Sequence, residues 1–132
     1  MILEGTAATV SLIVAEKDTA VALGSGDVAV LGTPRIVALC EEAAIAALAG
    51  SLPEGETSVG TSISIDHLAP TGVGGTVTAT ATVTEVDGKQ VMFILVVKDG
   101  GRIAARGTHT RFIVNRHRFE QSANASPKHG AP

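Results

Sequence analysis

Aromatic side chains are almost absent: the 132 residues hold three Phe, no Trp and no Tyr. A core must therefore be assembled from aliphatic and Ala side chains, and little is left to stack on nucleobases. Positive charge is also short, with 10 Lys and Arg against 13 Asp and Glu and a net charge of -3. That balance argues against a phosphate-backbone binder. The single cysteine, Cys40, excludes an intrachain disulfide and a Cys-based zinc cluster. Its apolar surroundings read it as a small buried hydrophobe. No apolar run approaches the roughly 18 residues of a membrane-spanning helix. The first fourteen residues contain Glu4 and no basic n-region, unlike a signal peptide. The expectation is a cytoplasmic protein with neither nucleic acid nor membrane as partner.

What is present is enough for one domain. At 45% hydrophobic and 17% charged, the chain can bury a core of its own. Residues 33–50 read as one helix with clear ends: Thr33 as N-cap, Pro34 in the first turn, Gly50 as C-cap. Between them nearly every residue is Ala, Leu, Ile or Val, the mark of a helix buried on most sides. Residues 5–14 read as a strand. Residues 16–32, with Gly24, Gly26 and Gly32, read as a loop or flexible cover.

Beyond the turn at Pro53 the period changes from 3.6 to 2. Residues 58–68 place Val59, Thr61, Ile63, Ile65 and His67 on one face and Gly60, Ser62, Ser64 and Asp66 on the other. Residues 76–86 alternate again, Asp87-Gly88 marks a hairpin, and residues 91–98 form a continuous apolar strand expected at the sheet centre. A second hairpin at Asp99-Gly100-Gly101 leads to a last strand over residues 102–114. Short hairpins make this an antiparallel meander. An apolar helix beside such a meander needs a sheet that curls around it. The fold class expected is α+β, a hotdog fold over residues 1–119, with residues 120–132 as a flexible tail.

Three polar groups fall where the pattern demands apolar ones. Glu41 and Glu42 sit mid-helix, where an unpaired ionised carboxylate costs several kcal/mol to bury. The plain alternative is that both meet water at a subunit seam or edge, and the helical pattern does not choose between them. His67 shares its face with Ile63 and Ile65, where a satisfied core histidine is the commoner reading. Thr33 is the third, with a hydroxyl that an N-cap can also present to a ligand. A hydroxyl, a carboxylate and an imidazole are the groups used to hydrolyse an acyl bond.

Four stretches carry a family resemblance: Thr33 before the helix, Glu41 eight residues on, the strand over residues 59–67, and Gly107-Thr108-His109-Thr110-Arg111-Phe112. On these the chain resembles the hotdog-fold acyl-CoA thioesterases, most closely the fluoroacetyl-CoA thioesterase group, from about residue 30 to 119. The resemblance implies a catalytic triad of Thr33, Glu41 and His67, with the Gly60 backbone N–H on the thioester carbonyl. It selects Glu41 over Glu42, with Glu41 as general base or nucleophile. It implies acyl-CoA as substrate and no cofactor or metal, CoA being part of the substrate. It also implies a homodimer with the active site at the seam.

A CoA ester needs cations for its phosphates, and Lys98, Arg102, Arg106, Arg111, Arg116 and Arg118 give the last third a basic bias. Arg111 is assigned to CoA binding, or, from its shared strand parity with His109 and Gly107, to facing or bracing the pocket. Two departures stand against the group's pattern. Residues 21–32 lack the aromatic cover of the fluoroacetyl specialists, and Glu42 stands where a bulky apolar residue is expected. A short acyl group other than fluoroacetyl fits better. The alternatives are an enoyl-CoA hydratase or dehydratase and a non-catalytic acyl-CoA binding module on the same fold.

Overall fold

The computed structural model describes residues 1–128. Five antiparallel strands form one sheet: β1 (Ala7–Ile13), β2 (Glu56–His67), β3 (Thr76–Asp87), β4 (Gln90–Asp99) and β5 (Arg102–Asn115), in the order β1-β3-β4-β5-β2. The apolar strand β4 is at the centre, as expected. Helix α2 (Thr33–Ala47) lies in the concave face, following a one-turn helix α1 (Ala20–Leu23). This is the hotdog arrangement expected from the sequence. Among the described residues no helix is long and apolar enough to cross a membrane.

The core explains how a chain with so few rings folds. Ala43, Ala44 and Ala47 of α2 are buried with Ala79 and Ala81 of β3, so helix and sheet approach closely. Ile36, Leu39, Val77, Val83, Val91, Leu95 and Val97 fill the rest, with Phe93 as the largest fully buried side chain. Alternation puts these strand residues inside and the threonines of β3 outside.

Four expectations need correction. The N-cap of α2 is Gly32, not Thr33; Thr33 is already helical and its side chain caps nothing. The segment before α2 is not a plain loop. It holds a 3-10 turn (Glu16–Asp18) and α1, pinned by Gly32 N–H to Asp18 O and Leu31 N–H to Thr71 O. A Cβ at Gly32 would press on the Ala20 backbone at 3.2 Å, so glycine lets this cover lie against the helix start.

The third correction concerns β2. Its register against β5 shifts between Gly60 and Ser62: Gly60 faces Arg111 while Ser62 faces Thr110. One extra residue, Thr61, is accommodated in a β-bulge, which reverses strand parity. Gly60 therefore shares the inner face with Ile63, Ile65 and His67 instead of opposing them. The fourth is the tail. Its beginning falls in an exposed helix, α3 (Arg116–Asn124), started by the Asn115 side chain accepting from Arg118 N–H at 2.9 Å. Residues 129–132 lie outside the described residues.

Close Ala-on-Ala packing has a direct consequence. Ala81→Leu is expected to cost about 1–3 kcal/mol by overpacking, read as a lower urea midpoint with unchanged slope.

Candidate active site

Glu41 occupies the middle of α2, and its side chain is 37% exposed. Arg111 of β5 approaches it, Nη1 donating to Glu41 Oε2 at 3.1 Å. The arginine itself is 4% exposed and has further partners: Nε donates to Ser58 Oγ at 2.8 Å and Nη2 to Ser58 O at 3.1 Å. Burial pulls the Arg111 pKa below its ordinary value, and the Glu41 charge pulls it back up. A guanidinium remains charged under such conditions. Arg111 is thus placed to brace Glu41, the second of the two roles expected of it, with its side chain buried and most of its fork already engaged.

Gly60 supplies the space for this pair. A Cβ there would collide with Glu41 Oε2 and would stand 3.2 Å from His109 Cε1 and 3.3 Å from Arg111 Nη1. The bulge turns the position inward, and the missing side chain lets the carboxylate lie against the strand.

Thr33 and His67 meet as well, Thr33 Oγ1 lying 2.8 Å from His67 Nδ1. Freed from capping, the hydroxyl is available to the imidazole. His67 Nε2 is buried without a hydrogen-bond partner, an unfavourable state for a polar atom. A groove of about 230 Å³ lined by Val30, His67, Leu68, Ala69 and Pro70 opens beside it. A second, of about 250 Å³, opens at the other end of β2 beside Thr57 and Ser58.

The expected triad is therefore not gathered within one chain. Thr33 and His67 form one half, and Glu41, Gly60 and Arg111 form the other. Thr33 and Glu41 are eight positions apart on the helix, about 12 Å along the axis at 1.5 Å per residue.

Two contributors escaped the sequence reading. His109 is 2% exposed, with Nδ1 2.7 Å from Ser62 O and Nε2 3.2 Å from Arg111 Nη1, and stacks on Phe93. Ser58 holds Arg111. The parity of Gly107, His109 and Arg111 along β5 was the available signal for His109. Nothing marked Ser58, because the bulge between it and Ile63 disguised its face. Cys40 adjoins Glu41 in sequence, but burial, then the Glu41 charge, pushes its thiol up to about 11. It is no nucleophile at neutral pH.

A family model described as fluoroacetyl-CoA-specific thioesterase matches residues 14–117. The chain belongs to that family. Its match takes in the cover, α2 and the strands that carry both halves of the site. The fluoroacetyl-CoA thioesterase of Streptantibioticus cattleyicolor is 37% identical over 90 residues, covering 68% of this chain and 65% of that relative's length. A solved structure of the fluoroacetyl-CoA thioesterase superposes with a TM-score of 0.89 at 29% identity, over 96% of this chain and 99% of the other. A variant of that enzyme solved with fluoroacetate and CoA gives a TM-score of 0.81 at 31% identity, over 89% and 98% of the two chains.

Within this thioesterase-family site, His109 has a pH signature. Burial is the largest influence and holds its pKa below the ordinary 6.5, assisted by Arg111 and opposed by the Ser62 carbonyl and Glu41. On unfolding the imidazole takes up a proton that the folded chain refuses. Its share of stability is present above pH 6.5 and is lost as pH falls toward and through the folded value. Urea midpoints measured from pH 7.5 to 5 should fall less steeply for His109→Phe than for the wild type.

Proposed function

We propose that this protein hydrolyses a short-chain acyl-CoA thioester to the free acid and CoA. One observation carries the reading: a half-buried carboxylate, Glu41, held by Arg111 against a strand position without a side chain, Gly60. That is a reactive group held against a strand backbone that can offer its N–H to a small carbonyl. The relative's substrate is a two-carbon acyl-CoA by its name, and the structure with fluoroacetate and CoA supports the same substrate class here. The cover presents Val21, Leu23 and Val28 and no aromatic ring, all three well exposed, which favours a short acyl group other than fluoroacetyl.

In this reading Glu41 acts on the thioester carbonyl carbon, either directly or by taking a proton from water. Gly60 N–H receives the developing oxyanion. The C–S bond breaks, the CoA thiolate leaves with a proton, and water supplies the acid's oxygen. The Thr33–His67 pair orients the ester and moves protons. The reaction needs no further cofactor. A cytoplasmic location, beside soluble CoA esters, belongs to the same reading. A hydratase is disfavoured because Asp66 is exposed on the outer face of β2 while His67 points inward.

The separated halves favour a homodimer. β2 is an edge strand of twelve residues, and an unpaired edge of that length invites a second strand. A two-fold axis near Ile63 and Ser64 would pair β2 with its copy and set His67 opposite the partner's Gly60. Thr33 and His67 would then meet the partner's Glu41, completing each site from two subunits.

Two measurements test this. Thiol release from a panel of short acyl-CoAs should drop about 10²-fold or more for Glu41→Gln, and for Gly60→Ala, whose added methyl displaces a flexible carboxylate without unfolding the chain. Equal activity in Glu41→Gln, or no ester cleaved by the wild type, refutes the assignment. Separately, Thr33→Ala and Glu41→Gln chains, each inactive, should regain about a quarter of wild-type activity when unfolded and refolded together, because half the dimers are mixed and each restores one of two sites. No recovery would place the whole triad in one subunit.

A further inference from the structure

The bulge in β2 leaves a problem that one side chain solves. It disrupts the regular β2–β5 ladder beside Ser62, and the Ser62 carbonyl is met by His109 Nδ1 at 2.7 Å. A carbonyl only accepts, so Nδ1 must carry the proton. At the other end of the ring, Arg111 Nη1 lies 3.2 Å from His109 Nε2. A guanidinium only donates, so Nε2 must be bare. Its two partners therefore fix the imidazole as the neutral Nδ1–H tautomer.

The same ring stacks, tilted, on Phe93 of the central strand, at a 5.9 Å centroid distance and 29° between planes. Its Nε2 is 4.0 Å from Glu41 Oε2, close enough to feel the carboxylate but without a hydrogen bond to it. The charged neighbours are thus Arg111 from its own strand and Glu41 from α2. Phe93 from β4 and Ser62 from β2 contribute no charge.

We propose that His109 is a positioning residue for the hydrolysis, joining the bulge that presents Gly60 to the arginine that aims Glu41. It touches no substrate. Through Nδ1–H it fixes the bulge, and hence where Gly60 N–H points. Through Nε2 it takes one hydrogen of the Arg111 fork, leaving the guanidinium in the orientation that meets Glu41. One rigid imidazole thereby sets the spacing between oxyanion donor and carboxylate. A protonated ring would aim an N–H at Arg111 and break the link, and burial works against that protonation. This assignment rests on the thioesterase reading for its kinetic part, though not for its structural part.

The structural test needs no substrate. In ¹⁵N-histidine-labelled wild-type protein at pH 7.5, His109 should show a protonated Nδ1 and an unprotonated Nε2, and Arg111→Met should shift the Nε2 resonance. An Nε2–H tautomer, or an Nε2 signal indifferent to Arg111, overturns the proposal. The kinetic test compares His109→Phe, which keeps the stacking and loses both hydrogen bonds, with His109→Asn, whose amide can still donate to Ser62 O. With both folded by circular dichroism, kcat should fall about tenfold or more in His109→Phe with KM within threefold, and His109→Asn should recover part of the loss. His109→Phe within twofold of the wild type, in a protein whose Glu41→Gln variant is inactive, refutes the positioning role and leaves the thioesterase reading intact. If the wild type cleaves no thioester, the thioesterase reading fails and the tautomer measurement alone decides the link.

Discussion

A carboxylate half-buried in the middle of an apolar helix requires a cation that reaches it through the core, and Arg111 is that cation. The pair is expensive to assemble, since the arginine gives up nearly all its hydration. Its cost is offset by hydrogen bonding: Glu41, His109, Ser58 Oγ and Ser58 O take four of the five hydrogens on its three nitrogens. Four partners from three elements fix one group, and they in turn fix the register of β2 on β5 and the depth of α2 in the sheet. A lysine could not hold this geometry, because its ammonium offers a point charge without a planar fork.

The bulge at Thr61 follows from the same requirement. Ser58 and Gly60 must face inward to hold Arg111 and admit Glu41, and Ile63, Ile65 and His67 must face inward to close the core and reach Thr33. Strict alternation allows one set or the other, since 60 and 63 have opposite parity. One extra residue reconciles them. The irregularity is what places Gly60 and His67 on the same side of the sheet.

The fold was legible because its signals are local and redundant. The helix composition, the hairpin at Asp87-Gly88 and the alternation of Val77, Ala79, Ala81 and Val83 each stand on their own. Errors arose where a tertiary contact overrode a local preference. Thr33 has good N-cap chemistry, yet Gly32 takes the cap because the cover presses on it, which leaves the hydroxyl for His67. Gly60 was put on the outer face because no feature of Val59-Gly60-Thr61-Ser62 announces a bulge. Arg111 was one cation among six, set apart by its parity with Gly107 and His109; that this face of β5 is the buried one, while Arg102 and Arg106 stay exposed on the same strand, comes only from the fold. The resemblance named Thr33, Glu41, His67 and Gly60, but it could not show that one chain divides them into two groups.

The two adjacent acids end in different chemistry, and the helix explains it. Successive residues are turned about 100° apart, so when Glu41 faces β2 and β5, Glu42 lies on another flank of the helix and reaches back along it. There it accepts from Arg35 Nη1 at 2.8 Å. Arg35 also reaches Asp18, Nε to Oδ1 at 3.2 Å, and that carboxylate is nearly buried and accepts from Ala15 N–H at 2.8 Å. Glu42 therefore belongs to the cover: with Arg35 it ties the base of residues 16–32 to the first turns of α2, close behind Thr33. A cover fixed at its base leaves only its tip to vary, and the tip carries the exposed Val21, Leu23 and Val28. A bulky apolar residue in place of Glu42 would remove one partner from Arg35 and require another means of anchoring the cover. The acid at 42 thus acts through Arg35 on the base of the cover, set apart from the Arg111 cluster that holds Glu41.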